Sequence, residues 1–157
     1  MEWKSGEIEG VFVVELTRHE DSRGYLIEVF RRDELPAKIE PAMSYLSVTL
    51  PGQSRGPHEH RDQTDVFSFT GPGDFRLKLW DNRESSATYG NFSEFVLGET
   101  SLATVIIPPG VVHGYKNISK RPAMVLNYPN RLYRGEGKRE EVDEIRHEDD
   151  PGCPFKL

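Results

Sequence analysis

The chain has 157 residues, 36% hydrophobic and 29% charged, with a formal net charge of −6: room for one domain with a real core, and no basic stripe for nucleic acid. A single cysteine, Cys153, excludes an internal disulfide framework and fits a reducing compartment. The first residues carry no basic, apolar leader and no apolar run approaches membrane length, so a cytoplasmic protein without a membrane partner is expected.

Fourteen glycines and eleven prolines punctuate short β-branched and aromatic runs, the rhythm of an all-β sandwich or barrel. Val11–Leu16 reads as a first strand, His19–Gly24 as a turn and Tyr25–Phe30 as a second strand. Arg31–Lys38 is compatible with a short helix before Pro41. In Met43–Leu50, Ser44, Leu46, Val48 and Leu50 alternate against Tyr45, Ser47 and Thr49. Val66–Thr70 and Phe75–Trp80 flank Gly71-Pro72-Gly73-Asp74 and read as a hairpin. Phe92–Val96, Leu102–Ile107 and Met124–Tyr128 supply further strands. From Arg134 to Asp150 the composition turns charged, as in a solvated helix or loop. The whole, 1–157, reads as one domain: N-terminal strands over 11–30, a barrel core over about 43–133 and a charged segment over 134–157.

Two clusters carry the chemistry. In Arg55-Gly-Pro-His-Glu-His-Arg-Asp-Gln-Thr-Asp65, His58 and His60 stand at i and i+2, one face of a strand that should begin at the histidines, and Asp65 follows. Downstream, Pro108-Pro-Gly-Val-Val-His113-Gly-Tyr-Lys-Asn117 supplies a third histidine. This pair of clusters resembles the two motifs of the cupin superfamily. The resemblance implies a double-stranded β-helix (jelly-roll) barrel with short helical segments, and, in its metal-binding members, a divalent ion on His58, His60, Asp65 and His113. Imidazole with carboxylate suits zinc, manganese, iron or nickel and does not choose among them. The same side chains can equally line a metal-free ligand cavity.

A longer resemblance covers Val11 to Tyr133. Asp21-Ser-Arg-Gly-Tyr-Leu-Ile-Glu-Val-Phe30, Arg55-Gly-Pro-His58, Asp81-Asn-Arg-Glu-Ser-Ser-Ala-Thr-Tyr-Gly-Asn-Phe92 and Pro108-Pro-Gly-Val-Val-His-Gly-Tyr115 are similar, in order, to segments of the dTDP-4-dehydrorhamnose 3,5-epimerase family. That resemblance implies an isomerase of nucleotide-sugar and polysaccharide biosynthesis, working by proton abstraction beside a 4-keto group, without a cofactor and as a homodimer whose N-terminal segment reaches the neighbour's pocket. It places His58 as base, Asp150 as its orienting carboxylate, and Arg23, Glu28, Arg55 and His113 on the nucleotide and its phosphates.

Two positions depart from the family. The segment after His58 is about three residues short, and the expected lysine falls on Asp65, or on Gln63 if the gap shifts; a carboxylate cannot stabilise an enolate. The tyrosine proton donor falls on Asn127, a substrate contact at best, which leaves Tyr133 or Tyr128 to donate. The alternatives are a metal-dependent isomerase or dioxygenase, or a sugar-binding cupin without turnover. Singly, Arg23 can be a surface charge, Glu28 an edge-strand residue and Arg55 an ion-pair member; Cys153 reads as structural or incidental near a frayed terminus.

Overall fold

The computed structural model describes residues 2–36 and 39–157. Its strands are short because Gly and Pro recur, and they assemble into two facing sheets and a free-standing hairpin. The first sheet runs in the order β1 (Lys4–Ser5), β9 (Asn91–Gly98), β8 (Asp74–Asp81), β11 (Val111–Asn117), β6 (Ser54–Glu59) and β13 (Ile145–Arg146). The second runs β2 (Phe12–Glu15), β10 (Ala103–Ile107), β7 (Asp65–Phe69), β12 (Ala123–Asn127) and β5 (Tyr45–Thr49); β3 (Arg18–Asp21) and β4 (Gly24–Ile27) pair only with each other. Every pairing is antiparallel except that of β1 with β9. This is the jelly-roll barrel expected. Among the described residues no helix is long and apolar enough to cross a membrane.

Phe67, Phe69, Val105 and Val125 from the second sheet meet Phe75, Leu77, Leu79 and Tyr115 from the first. Edge-on ring contacts, such as Phe75 to Tyr115 at 5.1 Å, knit the sheets together. β7 and β10 are buried along their whole length, and so are continuous rather than alternating in pattern. Their outer face is covered by the stretch after β4, where the Thr104 hydroxyl donates to the Val29 carbonyl at 2.5 Å and lies 2.6 Å from the Ser68 hydroxyl.

Several expectations need correction. The two arms around Gly71–Asp74 are not a hairpin: β7 pairs with β10 and β12, β8 with β9 and β11, so that loop carries the chain from one sheet to the other. Phe67 and Phe69 from one arm meet Phe75 from the other across the shared core, as residues of facing sheets. Arg31–Pro36 forms turns, with the Glu34 and Leu35 amides both bonded to the Arg31 carbonyl, and Pro36 cannot extend a helix. Residues 37 and 38 of the expected helix lie outside the described residues. The sole helical piece among the described residues is the 3₁₀ turn Glu136–Lys138. Of the expected turn His19–Gly24, Ser22 and Arg23 make the turn itself, while His19–Asp21 belong to β3 and Gly24 opens β4. Cys153 is not frayed: with Phe155 it is buried against Trp80 and Val112 on the outer face of the first sheet.

Asp81-x-Arg83-x-x-Ser86-x-Thr88 has a structural explanation. The fully buried Asp81 carboxylate accepts from the Arg83 guanidinium at 2.8 and 2.9 Å and from the Ser86 and Thr88 hydroxyls at 2.6 Å each. Burial alone would raise its pKa; these donors outweigh that and hold it at about 2. The motif fastens the loop between β8 and β9.

Candidate active site

Antiparallel pairing of β6 with β11 sets His58 directly opposite His113, their rings 4.5 Å apart. Gly56 permits that approach: it has φ +80°, and a side chain there would meet the His113 carbonyl oxygen at 2.7 Å. β6 starts four residues before His58, earlier than expected, and ends just before His60. A short loop then crosses to the second sheet, where Asp65 opens β7.

Asp65 is the hub. It is 1% exposed, and its Oδ2 lies 3.0 Å from His60 Nε2 and 3.1 Å from His113 Nε2. Its Oδ1 accepts from Gln63 Nε2 at 2.9 Å and from Asn127 Nδ2 at 2.8 Å. One potential ligand atom from each of His58, His60, Asp65 and His113 lies within 4.8 Å of all the others. Burial would push the Asp65 carboxyl up, yet the two imidazoles beside it hold it far below its ordinary value. Burial, then repulsion from His113, keeps His58 well below its usual range, so it is neutral. Burial also opposes charge on His60, but Asp65 wins and raises it.

Above these groups opens a cavity of about 1360 Å³. Tyr45, His58, His60, Gln63 and Tyr115 are among its lining residues, together with Arg55, Arg61 and several residues between Pro129 and Glu148. The charged segment is thus neither a free helix nor a loose loop. The Asp143 carboxylate accepts the backbone amides of Arg61, Asp62 and Gln63 at 3.0, 3.0 and 2.8 Å, and the Asp143 carbonyl meets His60 Nδ1. Further along, His147 Nε2 bonds Glu59 at 2.8 Å.

The expected site residues divide. His58, His60, Arg55 and Tyr133 line the cavity. Arg55 is fastened to β5, donating to Thr49 Oγ1 at 3.1 Å and the Val48 carbonyl at 2.9 Å. His113 is 1% exposed and lies beneath Asp65, not at a phosphate-accessible rim. Asn127 is fully buried; its Oδ1 accepts the Val66 amide at 3.0 Å while its Nδ2 donates to Asp65 and to the Tyr45 hydroxyl at 2.9 Å. It positions neighbours and leaves no group for substrate. Asp150 is exposed and caps its own turn, bonding the Gly152 amide at 2.8 Å, so it does not orient His58. Glu144 stands there instead, its Oε1 3.8 Å from His58 Nδ1 and its Oε2 held by Arg146 at 2.8 Å. Arg23 pairs with Asp21 on the exposed hairpin, and Glu28 with Arg31; neither lines this cavity. Tyr128 packs on Phe30 and does not line it either. Lys138, on the 3₁₀ turn, is the one lysine among the lining residues described.

A sequence model of the dTDP-4-dehydrorhamnose 3,5-epimerase family matches residues 5–150. The chain belongs to this family. It is 40% identical over 135 residues to the probable low-salt glycan biosynthesis epimerase Agl13 of Haloferax volcanii, covering 85% of this chain and 86% of that protein. It is 32% identical to the spore coat polysaccharide biosynthesis protein SpsL of Bacillus subtilis, over 80% of this chain and 82% of the other. The crystal structure of a dTDP sugar isomerase from Desulfovibrio desulfuricans G20 superposes with a TM-score of 0.81 at 27% identity, covering 95% of this chain and 91% of that one. Family and relatives together make the chain a sugar-nucleotide epimerase of glycan biosynthesis.

Proposed function

We propose that the cavity binds a nucleotide-linked 4-keto sugar and that His58 removes a proton from a carbon beside the keto group. The observation that carries this reading is a neutral imidazole on the cavity wall, held below its usual pKa and backed by Glu144. A neutral imidazole can take a proton, and the Glu144 carboxylate favours the imidazolium that results. Arg61, Arg131 and Arg134 at the mouth suit a diphosphate. In deuterated water, NMR should show solvent deuterium entering C3 or C5, and His58→Asn should lower that rate by about 10²–10⁴. Firm binding with no wash-in by wild type would favour a sugar-binding protein without turnover.

A second reading has an observation of its own. His113 Nδ1 lies 3.0 Å from the Val111 carbonyl, which can only accept, so Nδ1 carries hydrogen and a neutral ring presents a lone pair at Nε2. That lone pair faces Asp65 Oδ2, and both atoms are buried without an aligned hydrogen bond. Two electron-rich atoms so placed are bridged either by a proton, as in the ion pair described above, or by a metal cation. His60, Asp65 and His113, with His58 beside them, would hold a divalent ion of zinc, manganese, iron or nickel; when bound, it supplies the Lewis acidity that the missing lysine cannot. Metal analysis of the purified protein, with His60→Ala as control, tests this; no uptake of any of the four would exclude it.

We also infer a homodimer. Tyr25 and Leu26 on the hairpin are 60% and 61% exposed, and Phe12, Leu46 and Val48 on the edge strands of the second sheet are 46%, 51% and 44% exposed. A second copy would cover apolar side chains at one or both margins of this sheet and could bring Arg23 and Glu28 toward a neighbouring cavity. A monomer by light scattering at micromolar concentration would refute it.

A further inference from the structure

We propose that Tyr45 is the proton donor of this site, the phenol having moved one strand over from the position that Asn127 occupies. The inference rests on the epimerase reading above.

Epimerisation requires a base on one face of the reacting carbon and an acid on the other. His58 stands on β6 in the first sheet; Tyr45 stands on β5 in the second and lines the same cavity. Base and phenol therefore rise from opposing walls. In the register of the second sheet, Tyr45 is the residue directly paired with Asn127. The Asn127 amide has one orientation, because its Oδ1 accepts the Val66 amide, so its Nδ2 must donate to the Tyr45 oxygen at 2.9 Å. The phenol thus accepts at that contact and keeps its hydrogen free; among the described residues no acceptor engages it. Asn127 supplies the fixed geometry, and its N–H stays in place to stabilise a phenolate.

The rival tyrosines are worse placed. Tyr115 is 3% exposed and its hydroxyl lies 3.1 Å from the Ser47 hydroxyl. Tyr133 sits in the segment beyond β12 and is 55% exposed against 42% for Tyr45, and among the described residues no partner fixes its hydroxyl as Asn127 fixes that of Tyr45. The Tyr45 ring is part-exposed, but its hydroxyl end faces the barrel interior, where burial and then the charge of Asp65 raise its pKa, so the phenol is protonated at neutral pH.

The step balances as follows. The C–H bond breaks, its proton passes to His58 and its electron pair moves into the enolate. The Tyr45 O–H then gives its proton to the opposite face of the same carbon as the carbonyl re-forms. The phenolate regains a proton from water, and His58 releases its own to solvent.

The test uses the full chain, a nucleotide-linked 4-keto-6-deoxy sugar and NMR in deuterated water, reading wash-in and inversion separately. Tyr45→Phe should lower inversion by about 10²–10⁴, while deuterium continues to enter the starting isomer through His58. Inversion near the wild-type rate, or inversion lost in Tyr133→Phe instead, would overturn the assignment. Absence of wash-in by wild type would instead defeat the base reading, so the two failures are distinct. If Tyr45→Phe does not fold, fluorotyrosine at position 45 keeps the shape and changes phenol acidity. The inversion rate should then change while wash-in does not; an unchanged inversion rate would overturn the proposal.

Discussion

Asn127→Ala is the most demanding perturbation of the barrel interior, because one amide serves three partners there. Removing it leaves the buried Val66 amide without its acceptor, deprives Asp65 Oδ1 of one of two donors and releases the Tyr45 hydroxyl. A buried backbone N–H left unpaired costs about 1–3 kcal/mol, and a lost hydrogen bond to a buried charge about 1.5–3 kcal/mol. The exposed side of Tyr45 can turn to water, so its loss adds little. We expect a destabilisation of about 3–5 kcal/mol by urea denaturation, since the two larger costs share no partner. Asn127→Asp sharpens the test: it keeps the acceptor for Val66 but turns a second carboxylate oxygen toward Asp65. One proton would be shared by the pair, whose folded affinity for it exceeds that of the unfolded chain. The variant should therefore gain stability relative to wild type as pH falls, and lose it again as pH rises through the raised folded value. An alanine variant within about 1 kcal/mol of wild type would refute the argument that Asn127 holds this wall together.

Three further outcomes are expected. Asp81, at about 2 instead of 3.8, contributes stability that is present above pH 4 and lost as pH falls toward 2; the difference is worth about 2 kcal/mol, and acid titration of wild type against Asp81→Asn reads it. Asp143→Ala removes the acceptor for the Arg61, Asp62 and Gln63 amides, so hydrogen exchange at 61–63 should speed by at least about tenfold and KM rise, with the core amides unchanged. Phe155→Ala, which strips the cover from Trp80 and Val112, should cost about 3–5 kcal/mol by thermal or urea unfolding.

Most of the barrel was legible in the sequence because turn residues mark its corners. β5, β8 and β10 fall within one or two residues of their expected bounds. The bounds of β11 were not legible, since a strand buried on both faces has no alternation. The supposed hairpin failed because local sequence marks a corner but not the sheet to which each arm belongs. At the site, the cupin resemblance grouped His58, His60, Asp65 and His113, and the fold brings all four together. Resemblance misplaced Asp150: the residue beside His58 is Glu144, on a stretch whose charge pattern says only that it meets water. Tyr45 was visible as part of a polar face with Ser47 and Thr49, but its partner Asn127 lies 82 residues away, and only register reveals the pair.

The position of Asp143 has a consequence for the order in which a nascent chain becomes competent. The loop at 61–63 and the imidazole of His60 leave the ribosome about eighty residues before the carboxylate and carbonyl that fix them. β6, whose far neighbour is β13, likewise waits for residues 145–146. The two facing sheets can close early around their aromatic core while the groove above His58 remains wet and unroofed. Ligand capture should therefore switch on late in synthesis, as a separate event after the barrel has formed.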